Sequence, residues 1–387
     1  MDSAASSSSP RLSWGILSTA QISRKFIAAV ASSDASEVIA IATRSQGRPV
    51  DDPCPASRYY CGDKAYATLL SDAAVKCVYL PLPNSLHLEW IEAAVRAGKH
   101  VLVEKPAVLT AAECDRLEEL LLLSAANGIY VSEGIPSLHH QLLKSIIDVC
   151  SQPTRSELRK VYCEYSHPLA SRGRSCIAMN KDLGGGALYA LGCYPIALFV
   201  KLCPGLASAE IEISELQLDD VSGVDLSMTV SFTVLGDSNH SGITIAPTLT
   251  FRCSIAADSP KKQKFLAEFA DGSSISTDSP FFATAADGRT KYEHIVGTPA
   301  PNTNNKSVVV VDKTTTTTLT TTISSTKEFG PSDPFLLELQ DFENVLLSGS
   351  GVEQTLPSSS VHPIEDVLRQ YRIMSRIAKL AGIEHCN

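Results

Sequence analysis

The sequence predicts an α/β chain: an N-terminal parallel sheet, then a C-terminal α+β domain with a large open, mainly antiparallel sheet. Three observations predict it. Strand and helix signals alternate over the first third of the chain in units of roughly 30 residues, the repeat of right-handed β-α-β crossovers. After about residue 136 long β-rich segments follow one another with little helix between them. The 387 residues leave room for two or three domains, and 44% hydrophobic against 19% charged residues is enough apolar material for a full core.

In order along the chain, residues 1–10 are mostly Ser and Ala and read as a disordered tail. Residues 12–17 (LSWGIL) are a short apolar strand ending in a small-residue turn. Ile22, Phe26, Ile27 and Val30 then mark one face of a helix. Residues 37–42 form a second strand and 46–55 a loop. Residues 75–82 form another strand, after which Asn84 or Ser85 is expected to cap a helix that ends at Gly98. Residues 101–104 are a buried strand. Thr110 and Glu113 have capping-box spacing for a Leu-rich helix closed by Gly128, and 129–132 is one more strand. The first domain is thus expected over 11–135 and is Rossmann-like; such sheets carry ligands at the carboxyl ends of their strands.

The second domain, 136–387, opens with one or two helices. Strands are expected at 160–165, 210–218, 225–235, 244–255 and 264–276. The stretch 313–322 is nearly all threonine, an edge strand or a loop. Helices return at 336–347 and 364–380, in a position to pack back on the first domain.

Net charge is −9, which argues against a nucleic-acid binder needing a basic face. The longest central apolar run, 191–200, is half the length a bilayer requires. Eleven cysteines stand singly with no C-x-x-C pair, and no metal-ligand spacing occurs. Free thiols and the lack of a secretory signal make the cytoplasm the expected compartment.

Three places carry candidate chemistry. In the first β-α turn, Gly15 is followed by Ser18, Thr19, Ala20 and Gln21. Measured against Gly-x-Gly-x-x-Gly only the first glycine stands, yet Ser18 and Ala20 are small enough for a backbone to approach a pyrophosphate. An ordinary strand–helix turn is the alternative. At the end of the second strand stand Thr43, Arg44 and Ser45, where an NAD site would have a carboxylate. An Arg between hydroxyls suits a 2′-phosphate, with Arg48 and Arg58 in reach, and tilts the reading to NADP(H); the alternative is a solvated Arg. At the end of an apolar strand, Glu104-Lys105-Pro106 aims a lysine into the cleft, placed to pass a proton to or from a substrate oxygen. Glu104 is expected to hold that lysine and Pro106 to follow a cis bond. A snorkelling lysine is the alternative.

Three longer strings run in order: Tyr79 to His87 (YLPLPNSLH), Ala97 to Pro106 (AGKHVLVEKP), and Gly184 to Tyr194 (GGGALYALGCY). Together they resemble the Gfo/Idh/MocA oxidoreductase family. Glu133-Gly134 and His139-His140 are similar to the branch of dimeric dihydrodiol dehydrogenase and NADP-dependent D-xylose dehydrogenase. The resemblance implies that Lys105 is the proton donor or acceptor and that Tyr194 lines the substrate pocket. It implies that Pro83, Asn84 and His87 lie at the cofactor, and that Gly184 to Gly186 bring the second domain to the nicotinamide. The family usually has Gly where Ser18 and Ala20 stand and Asp where Ala190 stands.

His139, His140 and Tyr189 are the further substrate-facing candidates. Adjacent histidines on a helix diverge by about 100°, so at most one faces the substrate. Tyr189 is a substitute acid for the missing Asp or a packed aromatic; His87 reads more readily as a first-turn helix residue than as a catalyst. The combined reading is an NADP(H)-dependent oxidoreductase moving hydride between nicotinamide and a sugar, polyol or cyclic diol, with a homodimer implied by the resemblance. The alternative is a nucleotide-sensing binding protein on the same fold.

Overall fold

The computed structural model describes residues 11–47, 56, 58–152, 156–234, 247–282, 290–296, 323–329, 333–348, 364–383 and 385. The expected N-terminal tail, most of the 46–55 loop including Arg48, and the threonine-rich stretch lie outside the described residues.

The first sheet holds β1 (Leu12–Leu17), β2 (Ser36–Thr43), β3 (Arg58–Cys61), β4 (Cys77–Leu80), β5 (His100–Glu104) and β6 (Val131–Gly134). Its order is β3-β2-β1-β4-β5-β6, all parallel. The strand order reverses between β1 and β4, the switch point where such sheets bind ligands. Helices α1 (Ser23–Ala31), α2 (Ala65–Ser71), α3 (His87–Arg96) and α4 (Ala111–Ala126) make the crossovers. β3 and α2 were not expected from the pattern; both are short, and β3 is largely uncovered.

The capping box is present. Thr110 Oγ1 accepts from the Glu113 amide, and Glu113 Oε2 accepts from the Thr110 amide, each at 3.1 Å. Gly98 and Gly128 close their helices with φ of 70° and 67°, conformations that cost a glycine nothing. Neither Asn84 nor Ser85 caps α3: residues Asn84–Leu86 form a 3₁₀ turn, and no side chain caps the helix that follows.

The second domain starts with α5 (Pro136–His139) and α6 (Gln141–Cys150). Its sheet contains β7 (Leu158–Ser166), β8 (Glu210–Leu218), β9 (Asp225–Thr233), β10 (Thr248–Ser254), β11 (Lys262–Phe269), β12 (Ser274–Thr277), β13 (Thr290–Val296) and β14 (Ile323–Phe329). The order is β14-β13-β12-β11-β7-β10-β9-β8, antiparallel except for β10 beside β7. The segment expected as one strand at 264–276 is two, because Gly272 turns the chain at φ 80°.

Helix α7 (Cys193–Leu202) packs on the second sheet, where its Phe199 meets Phe232 and Phe251. The stretch Lys181–Leu202 is long and apolar enough to cross a membrane, but its most apolar 18-residue window is 89% buried inside the protein. Helix α8 (Pro334–Leu347) lies on the first sheet, with Phe342 5.0 Å from Trp14. There Glu343 accepts from the hydroxyls of Ser33 and Ser36, both at 2.6 Å. Helix α9 (Ile364–Ala381) packs on α4 and α7 through Val367, Tyr371, Met374 and Ile377.

Candidate active site

The turn after β1 holds its shape without glycine. Ser18 takes φ 131°, a conformation that L side chains rarely adopt. Its amide donates to Ala42 O at 2.9 Å, and its hydroxyl accepts from the Ala20 amide at 3.1 Å. Thr19 and Gln21 are exposed beside it, and no side chain caps α1. Gly15 is not part of this turn. It lies inside β1, where a Cβ would meet Leu69 at 2.6 Å, so it serves the close packing of α2 against the sheet.

At the end of β2, Thr43 is buried and Arg44 and Ser45 are exposed. A residue missed in the sequence joins the two places: the Tyr66 phenol on α2. Burial raises its pKa, while the Arg44 guanidinium and the Ser18 hydroxyl beside it pull the other way. The signal for Tyr66 was α2 itself, whose apolar face was not recognised. Arg58, expected to assist Arg44, is instead paired with Asp72 at 2.6 Å.

The loop after β4 binds the domains together. Pro83 precedes the turn, and the Asn84 amide donates to Gly184 O of the second domain at 2.7 Å. His87 is wholly buried; its Nδ1 lies 2.7 Å from Pro106 O and its Nε2 2.9 Å from Leu82 O. Burial outweighs both carbonyls and lowers its pKa to about 4. His87, expected at the cofactor, is thus a neutral, enclosed imidazole that joins the loop after β4 to the one after β5.

Lys105 leaves the carboxyl end of β5 through a cis bond to Pro106. Its ammonium donates to Ala190 O at 2.8 Å and stands 5.1 Å from the centre of the Tyr194 ring. Residues Leu188–Gly192 form a π-helical turn, which presents the Ala190 carbonyl. That turn is fixed from below, where Asp225 Oδ2 accepts from the Leu188 amide at 2.7 Å. Gly186, at φ 115°, leaves room for this carboxyl: a Cβ there would run into Asp225 Oδ1. Burial raises the Asp225 pKa to about 7.

Behind Lys105 lies a group of carboxyls. Glu104 does not pair with the lysine through its side chain but accepts from the Tyr79 phenol at 2.5 Å. Glu133 Oε1 and the Tyr371 hydroxyl both accept from the Ala107 amide, at 3.0 and 2.7 Å. Burial raises Glu133 to about 8, against the Ala107 amide and Lys105, and raises Glu104 and Glu338, where repulsion by neighbouring carboxylates adds to it. Tyr79, Glu338 and Tyr371 were missed because they come from β4, α8 and α9, far apart in sequence.

The two histidines are engaged away from the lysine. His139 ends α5 and His140 lies just beyond it, so the helical divergence does not apply. His139 Nδ1 is 2.6 Å from Asp341 of α8, and His140 Nδ1 accepts from the Leu142 amide as the cap of α6. Tyr189 is the packed aromatic of the two expectations: it is 1% exposed and donates to Leu109 O at 3.0 Å. Tyr194 does face the lysine and belongs to an aromatic wall with Tyr165, Phe281 and Phe282, none of which the sequence pointed to.

Residues 12–125 match the family model described as "GFO_IDH_MocA: Oxidoreductase family, NAD-binding Rossmann fold". The dTDP-3,4-didehydro-2,6-dideoxy-alpha-D-glucose 3-reductase of Streptomyces violaceoruber is 33% identical over 58% of this chain and 62% of its own length. The D-xylose 1-dehydrogenase (NADP(+)) 2 of Haloferax volcanii is 31% identical over 48% of this chain and 55% of its own. The chain thus spans between half and two thirds of these relatives. The crystal structure of KijD10, a 3-ketoreductase from Actinomadura kijaniata in complex with NADP and TDP-benzene, superposes with a TM-score of 0.71. That match covers 95% of this chain and 96% of the other at 23% identity. The resemblance to the family and the fold class are borne out, and sugar 3-reductases stand beside the dehydrogenase branch that the sequence suggested.

Proposed function

We propose, for a chain whose residues 12–125 match the Gfo/Idh/MocA oxidoreductase family model, that the protein is an NADP(H)-dependent oxidoreductase acting on a CH–OH group of a sugar. The observation that carries the reading is the Lys105 ammonium at the end of β5, between Ala190 O and the Tyr194 ring, where the two domains meet. The names of the relatives support it: one is a sugar 3-reductase, another an NADP(+)-dependent xylose dehydrogenase.

The residues fit the cofactor. Ser18 keeps the backbone of the turn in the glycine conformation that a pyrophosphate needs, and Arg44, not a carboxylate, stands exposed at the end of β2 to meet a 2′-phosphate. Bound NADP(H) supplies or accepts the hydride. Lys105 handles the proton: in reduction its ammonium gives one to the substrate oxygen, and in oxidation its amine takes the hydroxyl proton. An ammonium has three donors, so Ala190 O orients Lys105 and leaves others for substrate. The Tyr194 face attracts the cation and, with Tyr165 and Phe282, keeps bulk water from it. Lys105→Met is expected to lower turnover by roughly 10²- to 10⁴-fold while the NADPH dissociation constant stays the same. Unchanged turnover would overturn the reading.

A nucleotide-binding protein without turnover is the second reading. It is favoured by one observation: a backbone carbonyl, that of Ala190, meets the ammonium where the family usually has Asp. It predicts NADPH binding with no sugar turned over and no effect of Lys105→Met.

A further inference from the structure

Three anchors hold the π-helical turn Leu188–Gly192, and each comes from a different part of the fold. On one side the Tyr189 hydroxyl donates to Leu109 O at 3.0 Å, in the segment that leads into α4. Ahead of the turn, the side-chain amide of Asn84 donates to Gly184 O at 2.7 Å. Beneath it, at the start of β9, lies Asp225, which is 1% exposed. Its Oδ2 accepts from the Leu188 amide at 2.7 Å, and the Ala187 amide and its own amide donate to the same carboxyl.

These bonds lead on to the lysine. The Ala190 amide donates to Gly186 O at 3.0 Å, so residue 190 is tied to the backbone that the carboxyl holds. The carbonyl of the same residue accepts from Lys105 Nζ at 2.8 Å.

Asp225 differs from the other two anchors in its chemistry. A side-chain amide and a phenol keep one hydrogen-bonding state at and below neutral pH, whereas a carboxyl changes. Ionised, it only accepts, and the amides around it suit that state. Protonated, it carries an O–H in need of an acceptor where its neighbours are donors. Among the described residues, amides alone hold the carboxylate against burial, and Cys253 on β10, the thiol that feels its charge, adds no cation. Burial outweighs the amides and raises its pKa to about 7.

We propose that Asp225 is a positioning residue for Lys105: as a carboxylate it fixes the turn that offers Ala190 O to the ammonium, and on protonation it releases the Leu188 amide and with it the lysine's alignment. The proposal deepens the reading of Lys105 above and rests on it for one consequence. In reduction, acidification lowers turnover even as it favours the ammonium.

The test is carbon-13 NMR of the full chain carrying ε-¹³C-lysine, in which the Lys105 signal is the one missing from Lys105→Met. His87, Glu104 and Glu133 also feel the lysine's charge. His87 titrates at about 4, so the controls are the two carboxyls. In wild type the Lys105 signal is expected to shift in a step with a midpoint at about 7. Asp225→Asn keeps the shape without the titration and is expected to abolish the step, while Glu104→Gln and Glu133→Gln retain it. A wild type without the step overturns the proposal even if Asp225→Asn fails to fold. So does a step that survives Asp225→Asn or vanishes in either control. No part of this measurement needs turnover, so failure of Lys105 as the proton-transferring group shows separately, as turnover unchanged in Lys105→Met.

Discussion

The turn at Ser18 and the strand end at Lys105 lie at the same edge of one sheet, yet they carry their signatures in opposite ways. At Lys105 the chemistry is in a side chain, and the string Glu-Lys-Pro announces it. At Ser18 it is in the backbone. The glycines that would announce it are gone, while the left-handed conformation they serve persists at φ 131°. What supports each place differs too. The turn is held by neighbours a few residues away, Ala20 and Ser23, and by Ala42 on the next strand. The lysine is held by Ala190, itself fixed by Asp225, and is backed by residues from α8 and α9. A motif is legible when a side chain performs the role, and fades when the backbone performs it.

The comparison can be broken most strongly at the lysine's support. Gly186→Ala places a Cβ against the Asp225 carboxyl and strains a positive φ, and is expected to cost at least about 2 kcal/mol in chemical denaturation. A neutral result would mean that the π-helical turn is not fixed as described. A smaller effect concerns the carboxyls behind the lysine. Glu133 is raised from the ordinary 4.5 to about 8, so the folded state holds a proton that the unfolded state loses first. Its contribution is therefore fully present below about pH 4.5 and lost as pH rises through about 8. Unfolding free energy measured across this window is expected to fall with pH, and Glu133→Gln to flatten the fall. The smallest effect is at the turn: Ser18→Gly relieves the strained φ and is expected to raise stability by about 1 kcal/mol. Destabilisation would show that the Ser18 hydroxyl bond to Ala20 matters more than the strain.

Much of the fold was legible. The apolar runs of β1, β2, β4 and β5 are buried on both faces, as parallel strands are, and Thr110 with Glu113 marked the start of α4 to the residue. β3 and α2 were not legible, because four and seven residues are too few to show a period. At the site, Lys105 and Tyr194 could be found because they sit in strings with spacing of their own. His87 and Tyr189 were placed at the ligand by position in those strings, and His139 by its likeness to the dehydrogenase branch. The structure encloses them because each side chain meets carbonyls, a carboxylate or a neighbouring ring that no local pattern reveals. The wall of Tyr165 and Phe282 and the carboxyl of Glu338 depend on contacts between elements far apart in the chain.

The central claim, an NADP(H) site on a turn without glycines, is tested most directly by titrating wild type and Arg44→Ala with NADPH and with NADH, followed by nicotinamide fluorescence. Wild type is expected to bind NADPH roughly ten- to a hundredfold more tightly than NADH, the difference a charge-assisted phosphate contact provides, and Arg44→Ala to close that gap. Binding of neither, or equal binding of both by wild type, would contradict the account.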